Sequence, residues 1–165
     1  MRQTDEGMDI AGAVSPTAKE DPYQLDLSQF QTDFNINTVS MFVAIKEALA
    51  SFAALPETAA RTFIYTGNAM NFASFPGIMT LGAGKSASAH LISAAAAAYA
   101  PRGFKFYYAD ERQADGKLAG RGISGEAHAR LYKTLSEEKT QGPWLQTFVN
   151  GKGYVYFAPD TQVTL

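Results

Sequence analysis

The fold is decided by residues 61–110, RTFIYTGNAMNFASFPGIMTLGAGKSASAHLISAAAAAYAPRGFKFYYAD. Thr62-Phe63-Ile64-Tyr65-Thr66 is a short β-branched and aromatic run, which predicts a buried strand. Gly67-Asn68 marks a turn, and an irregular loop follows. An Ala-rich helix is predicted from Lys85 to Ala100, and after Pro101-Arg102-Gly103 a second strand over Phe104–Tyr108. A strand, a crossover helix and a strand close into a right-handed parallel unit. The loop that feeds the helix then lies at the carboxyl edge of the sheet, where open α/β folds keep their chemistry.

The flanks extend this α/β pattern. From Gln29 the chain turns helical, with Ser28 a candidate N-cap, Phe42, Ile45, Leu49 and Phe52 on one face, and Pro56 as the stop. Val39, Val43 and Ala50 form a second apolar stripe, more than one buried face requires. The Lys85 helix is apolar almost all round, through Ala87, Ala89, Leu91, Ile92, Ala95, Ala96 and Tyr99. Such helices are covered on more than one side. The cover is either a two-fold interface built by these two helices, making a homodimer or homotetramer, or the protein's own N-terminal segment. A third helix is predicted over Glu126–Glu138, with Ala127, Leu131 and Leu135 inward and His128 outside that face. Strands over Trp144–Val149 and Tyr154–Phe157 follow, joined by the hairpin signal Asn150-Gly151-Lys152-Gly153. Residues 1–27 read as a loop or tail, with at most a strand remnant at Met8-Asp9-Ile10, and residues 28–165 as the α/β domain.

Composition excludes several classes of function. The net charge is −2 and the basic residues are scattered, so no nucleic-acid partner is expected. There is no cysteine, hence no disulfide frame and no thiolate metal site. The opening residues are polar, unlike a signal peptide, and no uninterrupted apolar run is long enough to span a bilayer; a cytoplasmic protein without a membrane partner is expected. His90 and His128 lie far apart with no carboxylate at ligand spacing, which predicts no metal and two surface or interface histidines. Asp110-Glu111-Arg112 can supply catalytic carboxylates, but a solvated turn at a strand end is favoured. One polar set remains: Asn37, Asn68 and Lys85. Asn68 and Lys85 share the carboxyl edge of the sheet, and Asn37 is either part of that site or a polar surface position.

These residues carry a resemblance. The segment Phe34-Asn35-Ile36-Asn37-Thr38-Val39-Ser40-Met41-Phe42 resembles the one that bears the catalytic Asn of short-chain dehydrogenases/reductases, matching at Asn37. Phe63-Ile64-Tyr65-Thr66-Gly67-Asn68 is similar to the strand that ends at their catalytic Ser. Gly82-Ala83-Gly84-Lys85-Ser86-Ala87 is similar to their Tyr-x-x-x-Lys helix, and Tyr99-Ala100-Pro101-Arg102-Gly103 to its end. Ala11-Gly12 resembles the end of their Asn-Asn-Ala-Gly motif, and Phe148-Val149-Asn150-Gly151 their last strand. The likeness runs from Gly12 to Phe157 and is strongest to a fungal-type branch.

The resemblance implies catalytic roles for Asn37, Asn68 and Lys85 and cofactor contacts for Gly12 and Lys85. It also exposes departures. In the family a Tyr protonates the carbonyl oxygen, and a Lys lowers the Tyr pKa and holds the nicotinamide ribose. Here Leu81 stands at the Tyr position, four before Lys85, and Asn68 stands at the Ser position. Thr80, beside Leu81, is far too weak an acid to replace a phenol. The family's first βαβ half, with its Gly-rich phosphate turn, precedes the part that this chain resembles. The expectation is therefore a partial Rossmann-like parallel sheet with flanking helices and one exposed sheet edge, truncated relative to the family. It implies no cofactor for this chain alone, and NAD(P) if the family function is retained. Function is expected to be that of a pseudoenzyme or oligomer-forming binding domain with a small-molecule ligand. The alternatives are an NAD(P)-dependent oxidoreductase, or a non-redox isomerase- or cyclase-type enzyme using Asn68, Asn37 and Lys85.

Overall fold

A computed structural model describes residues 12–158, and Met8-Asp9-Ile10 lies outside them. Among these residues the expected sheet is present, in the order β1 (Thr62–Thr66), β2 (Lys105–Arg112), β3 (Leu145–Val149), β4 (Gly153–Tyr154). β1 and β2 run parallel with Thr62 opposite Lys105, and β3 is parallel to β2 with Leu145 opposite Tyr108. β4 returns antiparallel through the Asn150-Gly151 turn, where Gly151 has a left-handed φ of 78°. β1 is an edge of the sheet among the described residues.

β2 runs four residues beyond its predicted end. Its sequence turns charged at Asp110, which suggested a turn, yet Asp110, Glu111 and Arg112 pair with Thr147, Phe148 and Val149 of β3 and are buried. β1 pairs with β2 only as far as Ala109, and past it β3 carries the ladder on; a strand continues while backbone partners continue, whatever its side chains, provided its charges find partners. The solvated-turn expectation is overturned.

The helices cover both faces. A continuous helical segment comprises α1 (Leu27–Phe34), a π-helical turn (Asn35–Val39) and α2 (Ser40–Ala54). It begins one residue before Ser28, after Asp26, and Ser28 makes no cap. α3 (Met79–Tyr99) starts six residues before Lys85, behind the Pro76–Ile78 turn, and ends at Gly103 with φ 71°. Met41, Ile45 and Phe52 pack with Ala89, Ile92, Phe104 and Phe106 between these helices and the sheet. Met41 takes the inward position expected of Phe42, which is 49 % exposed, because the buried positions Asn37, Met41 and Ile45 recur every four residues out of the π-helical turn. The 28-residue helix Leu27–Ala54 is long and apolar enough, by length and composition, to cross a membrane, contrary to the expectation from apolar runs; its inner face is core packing.

On the other face α4 (Gly125–Glu137) lays Ala127, Leu131 and Leu135 on Tyr107, Ala109 and Phe148. Ser124 caps it, its hydroxyl accepting from the Ala127 amide at 3.2 Å. At its far end the buried Lys105 ammonium donates to the carbonyls of Leu135, Ser136 and Glu138, neutralising the negative end of the helix. Burial pushes the Lys105 pKa down, and the Glu138 carboxylate opposes that.

Two phenols of this layer make the fold sensitive to alkali. Burial raises Tyr107, which donates to Glu138 Oε2 at 2.9 Å, to about 12. Burial likewise raises Tyr132, 2.7 Å from Thr66 Oγ1, to about 12. Below about pH 10 these phenols are protonated whether folded or unfolded. Between about 10 and 12 only the unfolded chain releases their protons, so stability falls as pH rises through that window. Urea unfolding at a series of pH values from 8 to 12 should show this loss, and Tyr132→Phe should make the fall shallower.

Candidate functional site

The site is assembled where α3 crosses the π-helical turn. A π turn breaks the regular i to i+4 ladder, leaving carbonyls free to accept from elsewhere. Here the Ser40 amide bonds to Asn35, five residues back, and the Asn37 carbonyl accepts from Ser88 Oγ at 2.8 Å and Tyr65 Oη at 3.2 Å. The Asn37 carboxamide accepts from the Ala13 amide at 2.9 Å and donates to the Ala13 carbonyl at 2.7 Å. Asn37 is fully buried, not a surface residue, and its amide group grips the chain next to Gly12. Gly12 itself is exposed and meets the site only through Ala13.

Gly84 makes the crossing possible. A Cβ there would lie 2.4 Å from Asn37 Cβ, far inside contact distance, so only glycine lets the two backbones approach. Thr38 Oγ1 closes the joint by donating to the Gly84 carbonyl at 3.2 Å. The helix accepts the cost of an interior glycine, about 1 kcal/mol, at this point for a packing reason.

Lys85, the next residue, sends its ammonium to Tyr65 Oη at 3.1 Å and the Thr66 carbonyl at 3.0 Å, and sits 4.5 Å from the centre of the Tyr65 ring. It is 5 % exposed and, among the described residues, has no ion-pair partner. Tyr65 thus accepts from Lys85 and donates to Asn37, so one phenol links two of the three expected residues. In the sequence Tyr65 stands out only as a strand residue, its β propensity concealing the hydroxyl.

Asn68 completes the edge. Gly67 faces Tyr108 so closely that a Cβ would fall 2.0 Å from the ring. Tyr108 Oη donates to the Asn68 carbonyl at 2.8 Å and accepts from its amide at 3.1 Å. Burial pushes the Tyr108 pKa far up, so this phenol stays protonated. Asn68 Oδ1 accepts from the Met70 amide at 3.0 Å, and among the described residues no hydrogen bond uses its Nδ2. Leu81 is half-buried hydrocarbon, and Thr80 is buried with its hydroxyl accepting from the Ser15 amide at 3.2 Å.

Beyond β1 lie charges that sequence reading placed in solvent. On the α3 side, Arg112 Nε and Nη2 both reach Asp110 Oδ2 at 2.7 Å, leaving Asp110 Oδ1 without a partner among the described residues. Burial raises the Asp110 pKa, against the pull of Arg112. On the α4 side, Glu111 accepts from the Ser124 amide at 2.8 Å and faces His128 Nδ1 at 3.3 Å. His128 is buried, not on the surface; it stands three and seven residues before Leu131 and Leu135, a spacing that marks the inward face. A cavity of about 320 Å³ opens between this pair and the Thr66–Asn68 turn.

A dinucleotide does not fit these residues as a whole. Lys85 and Asn68 can receive a ribose or amide end. The amides at the head of α4, the natural cradle for a pyrophosphate, already face the Glu111 carboxylate through Ser124, and its charge repels a second anion. The glycines at 116, 120 and 122 precede that helix with the spacing of a phosphate turn, but the loop they lie in ends at Ser124, whose amide is held by this carboxylate from β2.

Comparison with known proteins gives two informative likenesses. The chain is 76 % identical over 157 residues to the short chain dehydrogenase/reductase dmxR12 of Cryptosporiopsis sp. (strain 8999). That alignment takes in 95 % of this chain and 64 % of the relative's length. Among solved structures it is similar to the landomycin C-6 ketoreductase LanV with bound NADP and rabelomycin, with a TM-score of 0.59 and 17 % identity over 78 % of this chain and 52 % of that one. No family model matches the chain.

The crossing predicts one outcome directly. Gly84→Ala should lower stability by about 1–3 kcal/mol, the range for overpacking a close contact. Urea denaturation measures it, and a variant as stable as the parent would show that the two helices can separate freely.

Proposed function

The chain belongs to the short-chain dehydrogenase/reductase family, and on that premise we propose that it is a binding domain that performs no ordinary hydride transfer. The observation that carries this reading is Leu81, a hydrocarbon at the position where the resemblance places the proton-donating phenol. An alkyl side chain has no proton to deliver to a developing alkoxide. Lys85 supports the same reading: its ammonium is held by Tyr65 and Thr66 instead of standing beside a phenol on its own helix.

A second reading, non-redox chemistry of an isomerase or cyclase type, is favoured by Tyr65. Its hydroxyl lies 3.1 Å from the Lys85 ammonium, a phenol–ammonium pair reached from β1 instead of from α3. Such a pair can polarise a carbonyl oxygen without a hydride donor. NAD(P) chemistry of the family kind would need a pyrophosphate site that the described residues do not furnish.

The protein is further proposed to act in the cytoplasm as a homodimer or homotetramer. Ile36, Val39, Phe42 and Val43 form an exposed apolar stripe on the outer face of the Asn37 helix, each between 39 % and 50 % exposed. A stripe of this kind on a helix calls for a self-complementary partner.

Calorimetric titration with NADH and NADPH tests the first reading. No heat of binding is expected from this chain, and Leu81→Tyr should yield no nicotinamide-dependent turnover. Micromolar binding, or turnover in that variant, would overturn the reading that the described residues furnish no pyrophosphate site, and nicotinamide-dependent turnover by the parent chain would sink the binding-domain reading itself. Sedimentation should give a dimer or tetramer that Phe42→Glu converts to monomers; a parent that sediments as a monomer at micromolar concentration would remove the oligomer proposal.

A further inference from the structure

Arg61 and Arg102 stand at the amino edge of the sheet, where β1 and β2 begin, and take no part in the Lys85 site. Arg61 precedes β1, so by the rise of a strand its backbone lies about 16 Å from the Thr66 carbonyl that holds the Lys85 ammonium. Both guanidinium groups converge on one ring. Arg61 Cζ is 5.0 Å and Arg102 Cζ 4.5 Å from the centre of Phe104, and Arg102 also covers Tyr99 at 5.6 Å. Each cation gains from the ring, and the two repel each other. Gly103 lets them close in: its φ of 71° turns the chain between Arg102 and Phe104, and a Cβ there would come within 3.2 Å of Arg61 Nη2.

No carboxylate among the described residues answers this charge. Neither guanidinium has an ion-pair partner there, although Glu57 lies four residues before Arg61. Arg61 Nε is buried with no hydrogen-bond partner among those residues, a cost that an incoming acceptor removes. The end of α3 offsets only part of the charge, since the negative pole of a helix carries about half a unit. Arg102 is exposed and Arg61 half-buried, so the pair is open to solvent. Its chemistry restricts the occupant. A guanidinium stacked on a ring keeps its N–H edge free for oxygens in its own plane. A carboxylate fills one such fork and leaves the second cation unanswered, whereas a phosphate carries two charges and enough oxygens for both.

We propose that Arg61 and Arg102 bind a phosphate dianion, as the free ion or as a phosphomonoester, at the amino edge of the sheet. The Phe104 and Tyr99 rings hold the two forks in place beforehand, so little side-chain freedom is lost on binding. The site shares no residue with the carboxyl edge and does not depend on which chemistry, if any, occurs at Lys85. Its failure and that of the reading at Lys85 are therefore distinguishable.

The probes are inorganic phosphate and glycerol phosphate, compared with acetate at equal ionic strength and titrated into the full chain at about pH 8, where the phosphates are dianions. Phosphate should bind saturably and shift the Arg61 Nε–H resonance in NMR, with Arg112, paired with Asp110, unmoved as internal control. Acetate should bind about 10-fold more weakly, the worth of one charge-assisted fork. Arg102→Gln, at an exposed position, should weaken phosphate by a similar factor while the variant still unfolds cooperatively in urea. Arg130→Gln, which removes the same charge from α4, should leave phosphate binding unchanged. Glycerol phosphate binding as well as inorganic phosphate would assign the site to a phosphomonoester, and its rejection with phosphate retained would assign it to the free ion. An unmoved Arg61 resonance, acetate binding as tightly as phosphate, or equal losses in the two variants would each overturn the proposal.

Discussion

The carboxyl edge of this protein depends on a helix crossing with no side chain in it. Gly84 lets α3 lie against Asn37, and the π-helical turn frees the Asn37 carbonyl at that same contact. The two features need each other. Without the close approach, Ser88 does not reach the carbonyl at 2.8 Å, and without the π turn the carbonyl remains in its own helix ladder. From this joint the Tyr65 hydroxyl, the Lys85 ammonium and the Thr66 carbonyl follow as a chain of hydrogen bonds into the end of β1. A cation buried to this degree is tolerated because oxygen acceptors surround it and an aromatic face lies beneath it.

The end of β2 is organised by a second constraint: charge carried into a central strand must be answered on each face separately. Successive residues of a strand point to opposite sides. Asp110 and Arg112 therefore pair with each other on the α3 side through Asp110 Oδ2, and Glu111 is left to find Ser124 and His128 on the α4 side. A strand of alternating charges thus serves two environments at once. It turns the sheet edge into two polar sites back to back, one around Lys85 and one around His128.

How far the site could be read in advance varies residue by residue. Lys85 and Asn68 were placed correctly at one edge, because a βαβ connection puts a strand's end and the following helix's start together. Asn37 was recognised through its neighbours' likeness to a family segment, yet its burial was not, since an Asn inside a helix looks the same whether it faces solvent or a glycine on another helix. The part of the Tyr65 hydroxyl in this chain of hydrogen bonds is not legible, because an aromatic residue in a strand already has a sufficient reason to be there. His128 carried a legible signal, its spacing to Leu131 and Leu135, that was outweighed by the expectation that histidine faces solvent.

The sequence alone determined the parallel unit, its helix order, the carboxyl edge and the hairpin at Asn150-Gly151, because each rests on local periodicity, turn chemistry or the handedness of a single connection. Tertiary structure decided where β2 stops, which helix face is buried beyond the π turn, and which groups meet at Lys85 and at His128. Those outcomes depend on what lies across the sheet or across a helix crossing, at separations of 13 to 51 residues, as between Ser124 and Glu111 or Ser88 and Asn37. No local pattern carries that information, since the same charged triplet is a solvated turn when unpaired and a buried strand end when a neighbouring strand supplies partners.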